Sequence, residues 1–178
     1  GEDIRVWRAF RQHDHERDRQ LRYVDVGANE PRHLSITASL SDLGWRGLLI
    51  EADPVLAAEL RAFRPTDTVV ECAASDAEGT ITFHLVPGTG LGTLNAEEAG
   101  AAAGRGFETR ELTVRARPLD DILDEFQGAD PVHFMSIDVE GAEATVLQGL
   151  DLGKHRPWVL CIEAIEPGSD TPSHDAWE

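Results

Sequence analysis

The sequence predicts an α/β fold: a mostly parallel sheet carrying helices on both faces, with an antiparallel insertion over residues 79–116. Three observations predict it. Short, continuous apolar runs alternate with stretches of helical periodicity, which is how parallel strands covered on both faces read. Between residues 79 and 116 that rhythm gives way to the period-two alternation of half-buried antiparallel strands. Acidic residues recur where the apolar runs end, at the rim where open sheets bind ligands.

The elements follow in order. Arg22 to Gly27 is a β-rich run stopped by glycine, and residues 33–43 carry a weak helical stripe of Leu34, Ala38 and Leu43 closed by Gly44. Arg46 to Glu51 is the second strand. Asp53-Pro54 then reads as a helix start, with Asp as N-cap and Pro at the first position, and Leu56, Leu60 and Phe63 share one face. Thr68 to Ala73 is the third strand. Gly79 to Val86 and Glu111 to Arg115 are the antiparallel pair. The Gly- and Ala-rich segment between them, 87–106, is long enough to be a lid or a disordered insertion. Pro118 to Phe126 is a helix, Val132 to Asp138 a strand, Ala142 to Leu150 a helix, and Trp158 to Glu163 the last strand.

Composition narrows the function. The 178 residues suit one domain, 41% are hydrophobic, and no stretch approaches the roughly 20 apolar residues of a membrane span. With 33 acidic against 16 basic residues the net charge is −17, which repels phosphate backbones and anionic lipid, so neither nucleic acid nor membrane is an expected partner. Cys72 and Cys161 lie inside apolar runs and suit a reducing compartment. The chain opens on Gly1-Glu-Asp with no basic, apolar leader, so a cytoplasmic location is expected.

The strand ends supply the candidate site. Asp25-Val-Gly-Ala-Asn29 follows the first strand, Glu51 ends the second, Ser75-Asp76 follow the third, Asp138 ends the fourth and Glu163 the fifth. Five acidic strand ends on one rim describe a pocket for hydroxyl donors and positive charge. Gly27 permits a sharp turn. A dinucleotide site would want G-x-G-x-x-G, yet Asn29 and Arg32 stand at the second and third glycine positions and Pro31 removes a donor. Glu51 suits a ribose diol in either class. The turn therefore favours a nucleoside cofactor without pyrophosphate.

Nearly the whole chain resembles the FkbM-type methyltransferases. The resemblance is carried by Tyr23-Val-Asp-Val-Gly-Ala-Asn29, Gly44-Trp-Arg-Gly47 leading to Ile50-Glu51, and Gly88-Thr-Gly-Leu-Gly-Thr-Leu94. Ser136-Ile-Asp-Val-Glu-Gly-Ala-Glu143, Arg156-Pro-Trp158, Ile162-Glu-Ala164 and Ser173-His-Asp-Ala-Trp-Glu178 continue it. It implies a class I methyltransferase (Rossmann-like) sheet, S-adenosylmethionine as cofactor, and methyl transfer to a hydroxyl of a sugar, glycan or glycosylated metabolite. It also implies that Asp25, Gly27, Ala28 and Asn29 line the methionine half, with Ser35 a candidate for its carboxylate. Glu51 takes the ribose hydroxyls, Ala52, Asp53, Ser75 and Asp76 surround the adenine, and Asp138 faces the methyl-transfer centre. Ala52-Asp53 departs from the family's more frequent Glu-Pro turn.

Alcohols are poor nucleophiles near neutral pH, so a base or a metal is wanted. Asp138 and Glu163 are candidates for holding a hard cation such as Mg2+, and His174 is a candidate base. Blander readings stand beside these: Trp7, Trp45 and Trp158 as packing, His13 and His15 as solvated, and Glu140 and Glu143 as caps at a helix start. Two rival functions remain, a nicotinamide-dependent oxidoreductase and a non-catalytic nucleoside-binding module of a larger glycan-synthesis protein. Family chains continue past the His-x-x-Trp-Glu segment into a final antiparallel strand pair, whereas this sequence begins without Met and stops at Glu178. The expectation is a fragment truncated at both ends, with the strand 158–162 edge open to self-association.

Overall fold

The computed structural model describes residues 5, 8, 10, 20–86, 91–93, 100, 104–105, 109–126, 131–165 and 172. In chain order the first elements are β1 (Arg22–Val26), α1 (Ala38–Asp42), β2 (Arg46–Glu51), α2 (Pro54–Phe63), β3 (Thr68–Glu71) and β4 (Ala73–Ser75). β5 (Gly79–Val86), β6 (Leu91–Thr93), β7 (Arg110–Pro118) and α3 (Leu119–Phe126) follow. β8 (Phe134–Ile137), α4 (Glu143–Gln148) and β9 (Val159–Ile162) complete the described set.

Five of these strands pair in parallel in the order β3-β2-β1-β8-β9, the Rossmann-like sheet that the apolar runs predict. Alternation along β1 explains the two-faced core. Val24 and Val26 join Leu48, Ile50, Met135, Ile137 and the α3 residues Leu119, Ile122 and Leu123 on one face. Tyr23 joins Leu40 of α1, Leu49, Leu60 of α2 and Phe134 on the other. At the amino end of this second face Phe10 meets Trp45 edge-on at 5.0 Å and stacks on Trp158 at 6.1 Å, so these tryptophans serve packing, although Trp158 stays 55% exposed. β9 is the outer strand on that side among the described residues. No described helix is long and apolar enough to cross a membrane.

The α2 start behaves as its residues dictate. Pro54 occupies the first turn and Asp53 Oδ1 accepts from Val55 N at 2.7 Å, a cap worth about 1 kcal/mol. The predicted helix over 33–43 shrinks to the five residues of α1, because Leu34 adopts a left-handed φ of 57° and is 88% exposed.

A larger correction concerns the third strand. The chain leaves the parallel sheet at Cys72, whose N–H still reaches Glu51 O at 3.1 Å, and Ala73–Ser75 pairs with β7 instead. Ser75 and Asp76 therefore end a strand of a second sheet, ordered β4-β7-β5-β6, and not the third strand of the first. The insertion is antiparallel as expected over β5 and β7, and β6 adds to β5 within the 87–106 segment.

Candidate functional site

From β1 the parallel sheet extends laterally through β2 to β3 on one side and through β8 to β9 on the other, so the strand order switches between β1 and β8. Beyond the carboxyl ends at such a point lies the usual ligand crevice. Two chain segments meet there. Gly27 (φ +81°) donates its N–H to Ile50 O at 2.9 Å, and Asp138 N donates to Val26 O at 3.0 Å. The segments touch so closely that a Cβ on Gly27 would lie 1.8 Å from Asp138 O, which only glycine permits.

Glu51 braces the turn. Its side chain is 5% exposed; Oε2 accepts from Asn29 N and Oε1 from Asp53 N, both at 2.8 Å. The first of these bonds holds Asn29 in its left-handed φ of 53°. Burial pushes the Glu51 carboxyl up, opposed by the backbone donors of Asp53 and Asn29. With Ala52 N as a third backbone donor, the carboxylate keeps at least one lone-pair direction for a further donor. Ala28 is buried in the core beneath the turn, and Ala52 sits half-buried beside Glu51.

Asp25, on β1, is 5% exposed and its Oδ2 accepts from Thr37 Oγ1 at 2.5 Å. Behind Thr37 stands Arg64, 4% exposed, which closes α2. Its guanidinium donates to Thr37 Oγ1 at 3.1 Å, to Ser35 Oγ at 3.3 Å, to Asp67 Oδ2 at 2.9 Å and to the Tyr23 hydroxyl. Asp67 also accepts from Tyr23 at 2.7 Å, Ser41 at 3.2 Å and Gly47 N at 2.9 Å. One buried cation is thus shared between two carboxylates, and Asp67 holds it directly. Burial pushes Asp25 up to about 6; Thr37 and Arg64 lower it, and the charges of Asp138 and Asp67 raise it.

The third component is a carboxylate cluster. Parallel pairing of β8 with β9 places Glu163, whose N–H donates to Ile137 O at 2.9 Å, beside Asp138. Glu143, in the first turn of α4, is 4% exposed and its Oε1 accepts from Val139 N at 3.0 Å and Gly141 N at 3.2 Å. Each of the three offers an oxygen within 4.8 Å of the others. Glu163 is pushed up to about 8, by burial first and then by the charge of Asp138, with Glu140 and Glu143 adding. Its Oε2 is buried with no hydrogen-bond partner among the described residues. Two carboxylates cannot hydrogen-bond until one is protonated, so the cluster is built to hold a proton, and its all-oxygen donors also suit a hard cation.

The expected residues therefore come together at one rim in part. Asp25, Gly27, Ala28, Asn29, Glu51, Ala52 and Asp53 surround the β1 and β2 ends, and Asp138 and Glu163 lie side by side at the next two. Ser35 faces inward to Arg64 and Thr37. Ser75 and Asp76 sit on the second sheet against α4's C-cap, where a Cβ on Gly149 would meet Ser75 O at 1.9 Å. His174 lies outside the described residues. Glu143, Thr37 and Arg64 escape the sequence reading. Glu143 carries only the signal of a carboxylate at a helix start, and its bonds go to N–H groups of the preceding loop, while Thr37 and Arg64 carry no local signal of their approach to Asp25.

Comparison with known proteins gives the family. The chain is 30% identical to the methyltransferase sdnD of Sordaria araneosa over 60% of its own length, and it spans about half of that relative, 50%. Residues 25–178, from the aspartate of the first turn through both members of the Asp138–Glu163 pair, match the family described as the methyltransferase FkbM domain, and the chain belongs to that family.

Proposed function

We propose that this chain transfers a methyl group from S-adenosylmethionine to a hydroxyl of a sugar, glycan or glycosylated metabolite. The observation that carries the reading is the contact of the Gly27 turn with Asp138, which brings a nucleoside-type turn and a proton-holding carboxylate pair to one crevice. The residues present fit the cofactor: Asp25 offers a buried negative charge to the ammonium of the methionine half, beside Gly27, Ala28 and Asn29. Glu51 accepts from the ribose hydroxyls, and Ala52 and Asp53 form the adenine side; Ser75 and Asp76, on the second sheet, are not needed for the fit. When bound, the cofactor supplies a methyl on a sulfonium, a leaving group that departs as a neutral thioether.

What remains for the protein is to align the acceptor oxygen and take its proton. Glu163 takes it. Held near 8, it is a stronger base than an ordinary carboxyl, and the negative charges of Asp138, Glu140 and Glu143 raise its proton affinity. Mg2+ on the carboxylates of Asp138, Glu143 and Glu163 is the alternative way to activate the oxygen. An oxidoreductase is disfavoured by the turn as well as by its residues. The helix after Gly27 begins only at Ala38 and has five residues, so no helix N-terminus stands directly at the glycine turn to receive a pyrophosphate.

Calorimetry with S-adenosylhomocysteine and with NAD tests the cofactor, and turnover on hydroxyl-bearing sugars tests the reaction. Binding of the first ligand with methylation of a sugar hydroxyl is expected; binding of NAD alone overturns the reading. Binding without turnover on any acceptor favours the non-catalytic nucleoside module.

A further inference from the structure

Asp25 presents only one of its two oxygens to the protein. Oδ2 takes the Thr37 hydroxyl at 2.5 Å, and no hydrogen bond among the described residues reaches Oδ1. The donor cannot turn away. Arginine has no acceptor, so Arg64, 3.1 Å from Thr37 Oγ1, must donate to that oxygen, and the single hydroxyl proton goes to Asp25 at 2.5 Å in preference to Ser35 Oγ at 3.5 Å. Thr37 is fully buried (0% exposed) and Arg64 is anchored by Asp67, so the arrangement is set before any ligand arrives.

We propose that Thr37, locked by Arg64, is the positioning residue of this site: it holds the Asp25 carboxylate in one orientation, with Oδ1 facing the ligand's ammonium. The inference rests on the cofactor reading above and adds residues to it. Thr37 touches no ligand and acts through Asp25 alone. The groups that face Asp25 are Thr37 before α1, Arg64 closing α2, Asp67 in the loop that follows, and Asp138 after β8. Of these, only Thr37 and Arg64 favour the charged carboxylate. Loss of the hydroxyl removes the hydrogen bond that fixes the carboxylate, so Oδ1 is no longer aimed at the cation.

A pair of ligands separates this role from a structural one. S-adenosylhomocysteine carries the ammonium, whereas 5′-methylthioadenosine keeps the nucleoside and thioether and lacks the amino acid. Calorimetry at neutral pH on Thr37→Val is expected to show S-adenosylhomocysteine weakened about 10-fold or more and 5′-methylthioadenosine unchanged within about twofold. Thr37→Ser should restore the first ligand. In an Asp25→Asn background Thr37→Val should add no further loss, since its target is already uncharged. Equal weakening of both ligands, no weakening of either, or full additivity with Asp25→Asn overturns the inference while leaving the cofactor reading intact. If Thr37→Val does not fold, Thr37→Ala carries the same test: it must weaken S-adenosylhomocysteine and spare 5′-methylthioadenosine, and equal effects on both overturn the inference. A wild-type chain that binds neither ligand overturns the cofactor reading and this inference together.

Discussion

Gly27 and Asp138 are in backbone contact: any Cβ at position 27 would stand 1.8 Å from the Asp138 carbonyl oxygen and 2.9 Å from its carbonyl carbon. The two residues come from the strands on either side of the switch point, so this contact joins the cofactor-type turn to the carboxylate cluster. Gly27→Ala must both move Asp138 and adopt a φ of +81° with a side chain. The conformational term alone is about 1–2 kcal/mol, and the clash adds to it. A fall in Tm of about 4 °C or more is expected, together with loss of S-adenosylhomocysteine binding. Wild-type Tm and affinity in this variant would show that the two segments move independently.

Glu51 braces the turn and, in the proposed site, also holds the ribose. Glu51→Ala removes the acceptor for Asn29 N and Asp53 N as well as the one proposed for the ribose. Affinity for S-adenosylhomocysteine should fall about 10- to 150-fold. In contrast to Thr37→Val, 5′-methylthioadenosine should weaken equally, because both ligands carry the ribose. Calorimetry on the two ligands decides, and an unchanged affinity removes Glu51 from the site.

The Asp138–Glu163 pair predicts a pH dependence whose sign can be worked out. Glu163 stands at about 8 against an ordinary 4.5, so the folded state holds this proton more tightly than the unfolded chain does. Its contribution to stability is complete below about 4.5 and is lost as pH rises through about 8. Glu163→Gln carries no such loss, so its Tm relative to wild type should climb between about pH 5 and about pH 9. A gap that stays flat across that range would contradict the burial of this carboxyl.

Turnover should report the same pair. As base, Glu163 acts only when deprotonated, so kcat should rise with pH around 8, a midpoint that belongs to the pair. Glu163→Gln should lose that limb and about 100-fold or more of the plateau. Asp138→Asn removes the neighbouring charge, so the limb should move to lower pH while kcat falls more than S-adenosylhomocysteine affinity. Chelator treatment of the wild type distinguishes the alternatives: unchanged activity assigns the proton to Glu163, and a loss restored by Mg2+ assigns the cluster to a cation. Full activity in both variants would exclude the pair from the reaction.

Beneath the site, Asp67 is the counterion that keeps Arg64 in place. Its side chain is 0% exposed and accepts from Arg64, Tyr23, Ser41 and Gly47. Asp67→Ala strands a buried guanidinium and should cost about 3–5 kcal/mol. Urea denaturation measures it, and a cost under about 1 kcal/mol would mean that Arg64 finds solvent.

What the sequence determined by itself is local. Asp53-Pro54 starts a helix because cap and ring geometry act within one turn. Apolar runs become parallel strands because burial on both faces leaves no alternation, and Gly27 marks a turn because only glycine enters it freely. The resemblance to the FkbM family and the adjacency of Asp138 and Glu163 follow from residues inside single motifs and from strands that are neighbours. Tertiary structure decided the rest. Thr68 to Ala73 reads as one strand, yet it changes sheets at Cys72 because β7, far along the chain, supplies the partner for Ala73–Ser75. Glu143 reads as a helix cap and becomes a third carboxylate only when β9 brings Glu163 to it. Thr37 and Arg64 read as nothing in particular, since a polar residue acquires its role from the charge buried beside it, and that neighbour is chosen by packing across the sheet and not by the chain on either side.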